Sequence, residues 1–190
     1  MKERVDLAKA HRLLSPRPLC LLTTRYRDQV NVATLGWVGP VSLDPPLVII
    51  PIHPSRYSHD LLMRAEECVL NIPGRPLAEQ TIRCGADSGR DADKLVLTGL
   101  TAIDSQAVEV PSIDECLANI ECAVIDAYKP GDHTLFVAQI IDACVETEAF
   151  REQWLLTHEE VSPLFHIGGL KMALLEKPWT VSPDPAGESA

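Results

Sequence analysis

Two long β-type stretches, Cys116 to Tyr128 and Thr134 to Thr147, are separated only by Lys129-Pro130-Gly131-Asp132-His133. A connection this short joins neighbouring antiparallel strands, and its Pro-Gly pair supplies the turn chemistry. An earlier segment repeats the pattern: Leu19-Cys20-Leu21-Leu22-Thr23-Thr24 and Val30-Asn31-Val32-Ala33-Thr34-Leu35 flank the polar Arg25-Tyr26-Arg27-Asp28-Gln29, and the second strand runs on to Trp37. Pro45-Pro46 opens a third strand, Leu47 to Ile52, whose β-branched run predicts burial on both faces. Helical spacing is confined to insertions: residues 5–14 ahead of Ser15-Pro16, then Tyr57 to Glu67, then Leu77 to Cys84, with a short strand over 68–72 between the last two. Strands that arrive as hairpins with helices inserted predict a mainly β protein, an antiparallel sheet or barrel, and disfavour alternating βαβ units.

The chain has 190 residues, a length that predicts one domain, over residues 1–178, with a small polar tail from Trp179 to Ala190. A net charge of -10 without a dense Lys/Arg run disfavours nucleic acid and anionic membranes as partners. Charges interrupt Met1 to Leu14, and the longest apolar run, Leu47 to Ile52, is too short to cross a bilayer, so a cytoplasmic protein is expected. Cys20, Cys68, Cys84, Cys116, Cys122 and Cys144 form no CxxC pair and read as buried, reduced thiols. His11, His53, His59, His133, His158 and His166 form neither an HExxH nor an i, i+4 pair, so no metal site is expected. Glycine-rich nucleotide loops and the GxSxG elbow are missing as well, which leaves dinucleotide-fold and hydrolase readings without a motif.

Candidate chemistry gathers in three places. The strand Asn31-Val32-Ala33-Thr34-Leu35-Gly36-Trp37 combines extended backbone with the small residues Ala33 and Gly36, the latter allowing close approach of another group. Asn31 and Thr34 read equally well as polar residues on an exposed strand face, and Trp37 as core or as a subunit contact. Ser42 and Pro45-Pro46 follow, and then His53-Pro54-Ser55-Arg56-Tyr57-Ser58-His59 opens the next helix. Taken alone, Ser55 reads as an N-cap and Arg56 as a solvated charge; free N–H groups at a helix start beside Arg56 and the Ser55 and Ser58 hydroxyls host an anion only if the preceding strand motif belongs to the same site. The third place is Ser88-Gly89-Arg90-Asp91-Ala92-Asp93-Lys94, a loop too polar for the core, in which Arg90, Asp91 and Asp93 read as charge pairs holding the loop together.

Taken in order, these segments resemble the flavin reductase-like and flavoredoxin family. The resemblance runs over roughly residues 10 to 170, through Asn31-x-x-Thr34-x-x-Trp37, Pro45-Pro46, Ser55 to Ser58, the Ser88 to Lys94 loop, Gly131-Asp132-His133 with Phe136-Val137, and His166-Ile167-Gly168-Gly169. An aromatic residue following the last motif has no match here. The resemblance implies a Greek-key, FMN-binding split β-barrel with FMN held non-covalently. The strand from Asn31 through Val32, Ala33, Thr34, Leu35 and Gly36 to Trp37 would lie along the flavin. Ser42, Ser55, Arg56, Tyr57, Ser58, Lys94 and His166 would complete the cofactor site, and His133 would position a nicotinamide; the alternative for His133 is a turn histidine with no substrate contact. It also implies a homodimer and transient NADH or NADPH, with hydride passing to flavin N5 and onward to free flavin, ferric iron or a protein. The competing implication is a flavoredoxin-like carrier reduced by a partner protein; a split barrel that takes another ligand is a third.

Overall fold

The computed structural model describes residues 1–176, 178 and 179, so all of the expected tail but Trp179 lies outside the described residues. A 3-10 helix, Leu7–Leu14, leads into β1 (Arg17–Pro18), β2 (Cys20–Tyr26), β3 (Gln29–Leu35), β4 (Gly39–Leu43) and β5 (Pro46–Ile52). Then come α1 (Tyr57–Ala65), β6 (Glu67–Ile72), α2 (Ala78–Ala86), α3 (Lys94–Thr98), β7 (Ala102–Ile103) and β8 (Ser112–Ile113). The long hairpin strands β9 (Ala118–Tyr128) and β10 (Thr134–Val145) follow, and β11 (Phe165–Gly168) and β12 (Lys171–Ala173) close the described chain.

Seven strands form one sheet in the order β3-β2-β6-β9-β10-β5-β4, every pairing antiparallel. Its two edge strands, β3 and β4, are consecutive in the chain and are joined by Gly36, Trp37 and Val38 alone. Four Cα steps reach at most ~15 Å, so the sheet has to curl until its edges come near each other. The result is a barrel split along the β3/β4 seam, mainly β with the helices inserted.

Strand pleating decides what fills it. Cys20 and Leu22, Val48, Ile50 and Ile52, Cys68 and Leu70, Cys122, Phe136 and Ala138 alternate along their strands and meet in one buried cluster, which Leu62 of α1 joins. Burying each large member contributes roughly 1.5–3 kcal/mol. A second cluster sits between the sheet's other face and α2: Leu21 and Val32 pack with Leu77, Cys84, Leu100, Ile113 and Cys116.

Several local expectations change. On β5 only Val48, Ile50 and Ile52 are buried, whereas Leu47, Ile49 and Pro51 are half-buried, and Pro51 of that second face lines a cleft. The leading helix is 3-10 and buries none of its residues. β4, α3 and the β11–β12 pair were not anticipated; β4 begins Gly39-Pro40, which carries no strand signal. All six cysteines are free thiols, with Cys144 exposed instead of buried. Among the described residues no three His, Cys, Asp or Glu side chains cluster as metal ligands, and no helix is long and apolar enough to cross a membrane.

Candidate functional site

The split in the barrel opens into a cleft of about 660 Å³. Its walls are β3 with the link to β4, the end of β5, the start of α1, the segment from Cys84 to Gly89, and His133 from the β9–β10 turn. Of the residues singled out from sequence, Asn31, Ala33, Thr34, Leu35, Gly36, Trp37, Ser55, Arg56, Tyr57, Ser58, Lys94 and His133 line this one cleft.

Three singled-out residues lie elsewhere. The Val32 side chain is fully buried in the cluster beneath α2, since pleating turns it away from the cleft. Ser42 pairs with Leu47 on edge strand β4, outside the lining residues. His166 pairs with Arg17 in the small β1-β11-β12 sheet, and its Nε2 meets the Gly169 carbonyl at 3.0 Å.

β3 bonds to β2 on one edge only. On its other edge the Val32 carbonyl accepts from Lys94 Nζ at 2.8 Å, so the backbone groups of Val32 face away from β2. The two-residue repeat gives Thr34 the same outward backbone orientation, which leaves peptide donors and acceptors along the cleft wall. Lys94 is itself buried, and its ammonium also donates to the Cys84 carbonyl at 2.7 Å, tying α2 to β3. Burial is the main reason its pKa falls below the ordinary 10.5. The residue was expected in a polar loop; instead Asp93 caps α3 by accepting from Leu95 and Val96 N–H, and Lys94 turns inward as the first helical residue. The Thr34 hydroxyl is likewise committed, donating to the Thr81 carbonyl of α2.

At the start of α1, Ser58 is buried and accepts from Asn31 Nδ2 at 2.7 Å, while Asn31 Oδ1 is buried with no partner. Gly89 closes in on that carboxamide: a Cβ there would sit 2.0 Å from Asn31 Oδ1 and 2.9 Å from Tyr57 Cδ1. The Tyr57 hydroxyl donates to Gln29 at 2.8 Å. Arg56 has no ion-pair partner among the described residues and stands exposed at the helix N-cap. The N-cap supplies no side-chain hydrogen bond, so the first-turn N–H groups have no side-chain cap.

The mouth carries rings. His133 stacks on Trp37 with centroids 5.0 Å apart and an interplanar angle of 33°, and His53 meets His133 edge-on at 5.3 Å. Asp132 holds His133 Nδ1 at 2.7 Å, and that hydrogen bond is what lowers the Asp132 pKa. His53, which the sequence singles out only as the head of the segment opening α1, is itself a lining residue. Its Nδ1 accepts from the Ser55 backbone N–H at 3.1 Å, which places the ring proton of the neutral imidazole on Nε2. Gly85, Ala86 and Asp87 were missed, while Ser88 and Gly89 of the singled-out loop do line the cleft; the signal available was a run of small residues immediately before the charged loop.

A split antiparallel barrel with a ligand-sized cleft along an open edge strand defines the class of protein. The chain matches the flavin reductase like domain family over residues 12–169 and belongs to that family. It is 37% identical over 142 residues to an uncharacterized protein of Pyrococcus abyssi, covering 75% of this chain and 81% of the other. It is 31% identical over 128 residues to the NADH-dependent flavin reductase StyB of Pseudomonas fluorescens, 67% of this chain and 70% of that enzyme. Among solved structures, flavoredoxin from Methanosarcina acetivorans superposes with a TM-score of 0.83 at 22% identity, over 100% of this chain and 98% of that one. The FMN-binding protein from Thermus thermophilus with bound p-hydroxybenzaldehyde gives 0.81 at 21% identity, over 96% and 98%. At these identities the two structures establish the fold.

Proposed function

We propose that the cleft holds FMN non-covalently and that the chain is an NAD(P)H-dependent flavin or ferric reductase. The observation that carries the reading is the pairing, in one cleft, of an open strand edge with an uncapped helix start bearing an unpartnered arginine. The volume falls in the range of about 300–1,000 Å³ usual for small-molecule sites. The residues present fit the cofactor: the first-turn N–H groups of α1, Arg56 and Ser55 would take the phosphate, and the backbone of Thr34 to Trp37 the polar edge of the ring. Asn31 also lines the cleft, and its Nδ2 donates to Ser58 Oγ, which positions the start of α1 against β3.

The chemistry FMN supplies when bound is hydride acceptance from NADH or NADPH and onward electron transfer. The protein's own part is orientation and shielding. Trp37 and His133 present a ring pair at the mouth on which a nicotinamide can lie, and Asp132 holds the His133 imidazole through Nδ1, with no hydrogen-bond partner for Nε2 among the described residues. A second reading, an electron carrier reduced by a protein partner, draws support from Trp37, which is 41% exposed at that mouth and accessible to a docking surface. The exposed Val41, Leu43, Ile125 and Ile141 support a homodimer, and six free thiols suit the reducing cytoplasm.

Visible spectra after FMN reconstitution, followed by anaerobic NADH and then NADPH, test the reading. Flavin bands that bleach promptly support the reductase. Bound flavin that stays oxidised favours the carrier, and failure to retain flavin overturns both.

A further inference from the structure

We propose that Arg90, which is outside the cleft lining, sets the site's selectivity for a phosphorylated flavin by cancelling the Asp60 carboxylate in the first turn of α1. The inference rests on the FMN reading above and assigns a positioning residue to it.

Arg90 reaches the start of α1 three ways. Its Nη1 donates to the Ser55 carbonyl at 3.0 Å, its Nη2 donates to Asp60 Oδ2, and its guanidinium carbon lies 5.2 Å from the Tyr57 ring centre. At its own end, the Arg90 backbone N–H donates to Ser88 Oγ at 3.2 Å, so the side chain is rooted in the loop whose Ser88 and Gly89 form a cleft wall. One residue therefore ties the Ser88–Gly89 wall of the cleft to the helix start.

Fold stability does not account for this arrangement. The Arg90 and Asp60 side chains are 44% and 43% exposed, and ion pairs at such exposure contribute little. The electrostatics of the helix start do account for it. Asp60 is the acidic residue of the first turn of α1, where a carboxylate competes with an incoming anion for the same positive potential. A phosphate dianion beside an uncompensated carboxylate would be repelled. With the Arg90 fork closed on Asp60, the helix start keeps its N–H groups and Arg56 as the dominant field. The bond to Ser55 also engages a carbonyl oxygen that would otherwise add negative potential at the same place. A guanidinium makes this forked, ring-stacked contact; an ammonium offers only a point charge.

Riboflavin lacks the phosphate, and so separates this role from simple bracing of the loop. Dissociation constants for FMN and riboflavin are to be measured by flavin fluorescence titration on the wild type, Arg90→Ala and the double variant Arg90→Ala/Asp60→Asn, with thermal melts to verify folding. Arg90→Ala is expected to weaken FMN on the order of tenfold while leaving riboflavin within about twofold, and Asp60→Asn in that background to restore most of the FMN affinity. Equal weakening of both flavins would assign Arg90 to loop bracing and overturn the inference. An FMN-specific loss that Asp60→Asn does not restore overturns the charge-cancelling role. A wild type that binds FMN no better than riboflavin overturns the phosphate assignment itself, and this inference with it; a clear wild-type preference confines any failure to Arg90.

Discussion

Lys94 Nζ donates to the Val32 carbonyl at 2.8 Å from 62 positions along the chain, and the same ammonium reaches Cys84 on α2. The contact holds the unpaired edge of β3 and the end of α2 at the spacing that makes the cleft. Replacing Lys94 with Met leaves two carbonyls without their donor, each worth about 1–3 kcal/mol when buried, and relieves the cost of burying a cation. The expected net loss is about 2 kcal/mol in a urea titration.

That difference should depend on pH. Burial holds the folded-state pKa of Lys94 below its ordinary 10.5, so just below pH 10.5 the unfolded chain binds more protons than the folded one. Stability supplied by this residue therefore rises with pH across that window, and a neutral amine still has two N–H groups for the two carbonyls. The gap between wild type and Lys94→Met should widen as pH approaches 10.5. A gap that is flat or narrowing would contradict the assignment of a buried ammonium.

Lys94 also illustrates how much was legible. The hairpins were readable because alternation and Pro-Gly chemistry are local, and β2, β3, β9 and β10 fall close to where the pattern puts them. The ordered motifs located most of the cleft. Commitments of side chains across the fold were not readable. That Thr34 bonds α2, that Ser58 is occupied by Asn31, and that Lys94 is drawn inward all depend on packing between segments far apart in sequence. Val32 belongs to a continuous strand motif, and alternation turns its side chain to the opposite face while its carbonyl stays on the open edge of β3. Ser42 and His166 were carried by motif order alone, and neither lies on the cleft wall. His53, named with its segment, has no cofactor role legible in the sequence because an isolated histidine at a strand end carries no pattern; its proximity to His133 exists only once β5 pairs with β10.

Gly89 is required for space. A Cβ at this position would fall 2.7 Å from Asn31 Cγ as well as onto its Oδ1, and Asn31 is only 3% exposed, so the carboxamide has little freedom to withdraw. Gly89→Ala should cost roughly 1–3 kcal/mol, in the manner of an overpacked core, and weaken flavin retention as the wall moves outward. An unchanged melting temperature together with unchanged FMN affinity would contradict the close approach of these two segments.

His59 gives the fold an acid sensitivity. It is buried, its Nε2 meets Thr134 Oγ1 at 2.8 Å, and its ring packs edge-on against Phe136 at 5.5 Å. Burial, the largest effect, holds its pKa below 6.5 despite Asp60 nearby. As pH falls through 6.5 the unfolded chain takes up a proton that the folded chain resists, so stability drops until the folded pKa is also passed. His59→Gln should flatten this part of the acid slope when denaturation midpoints are compared between neutral and mildly acidic buffers. Parallel slopes in wild type and variant would place the acid sensitivity elsewhere.

The phosphate assignment is best tested at Arg56, not at Ser58. Arg56 is exposed and has no ion-pair partner among the described residues, so Arg56→Ala removes a cation from the helix start without disturbing packing. FMN affinity should fall by about tenfold, the scale of one charge-assisted contact, with the melting temperature unchanged. Ser58→Ala differs, because Ser58 accepts from the buried Asn31 Nδ2 and its loss leaves that donor unsatisfied. A stability loss of about 1–3 kcal/mol is expected there, with riboflavin and FMN affected alike as Asn31 shifts. The two variants thus separate charge from scaffold at positions two residues apart. If Arg56→Ala leaves FMN and riboflavin binding in their wild-type ratio, the start of α1 is not where the phosphate sits.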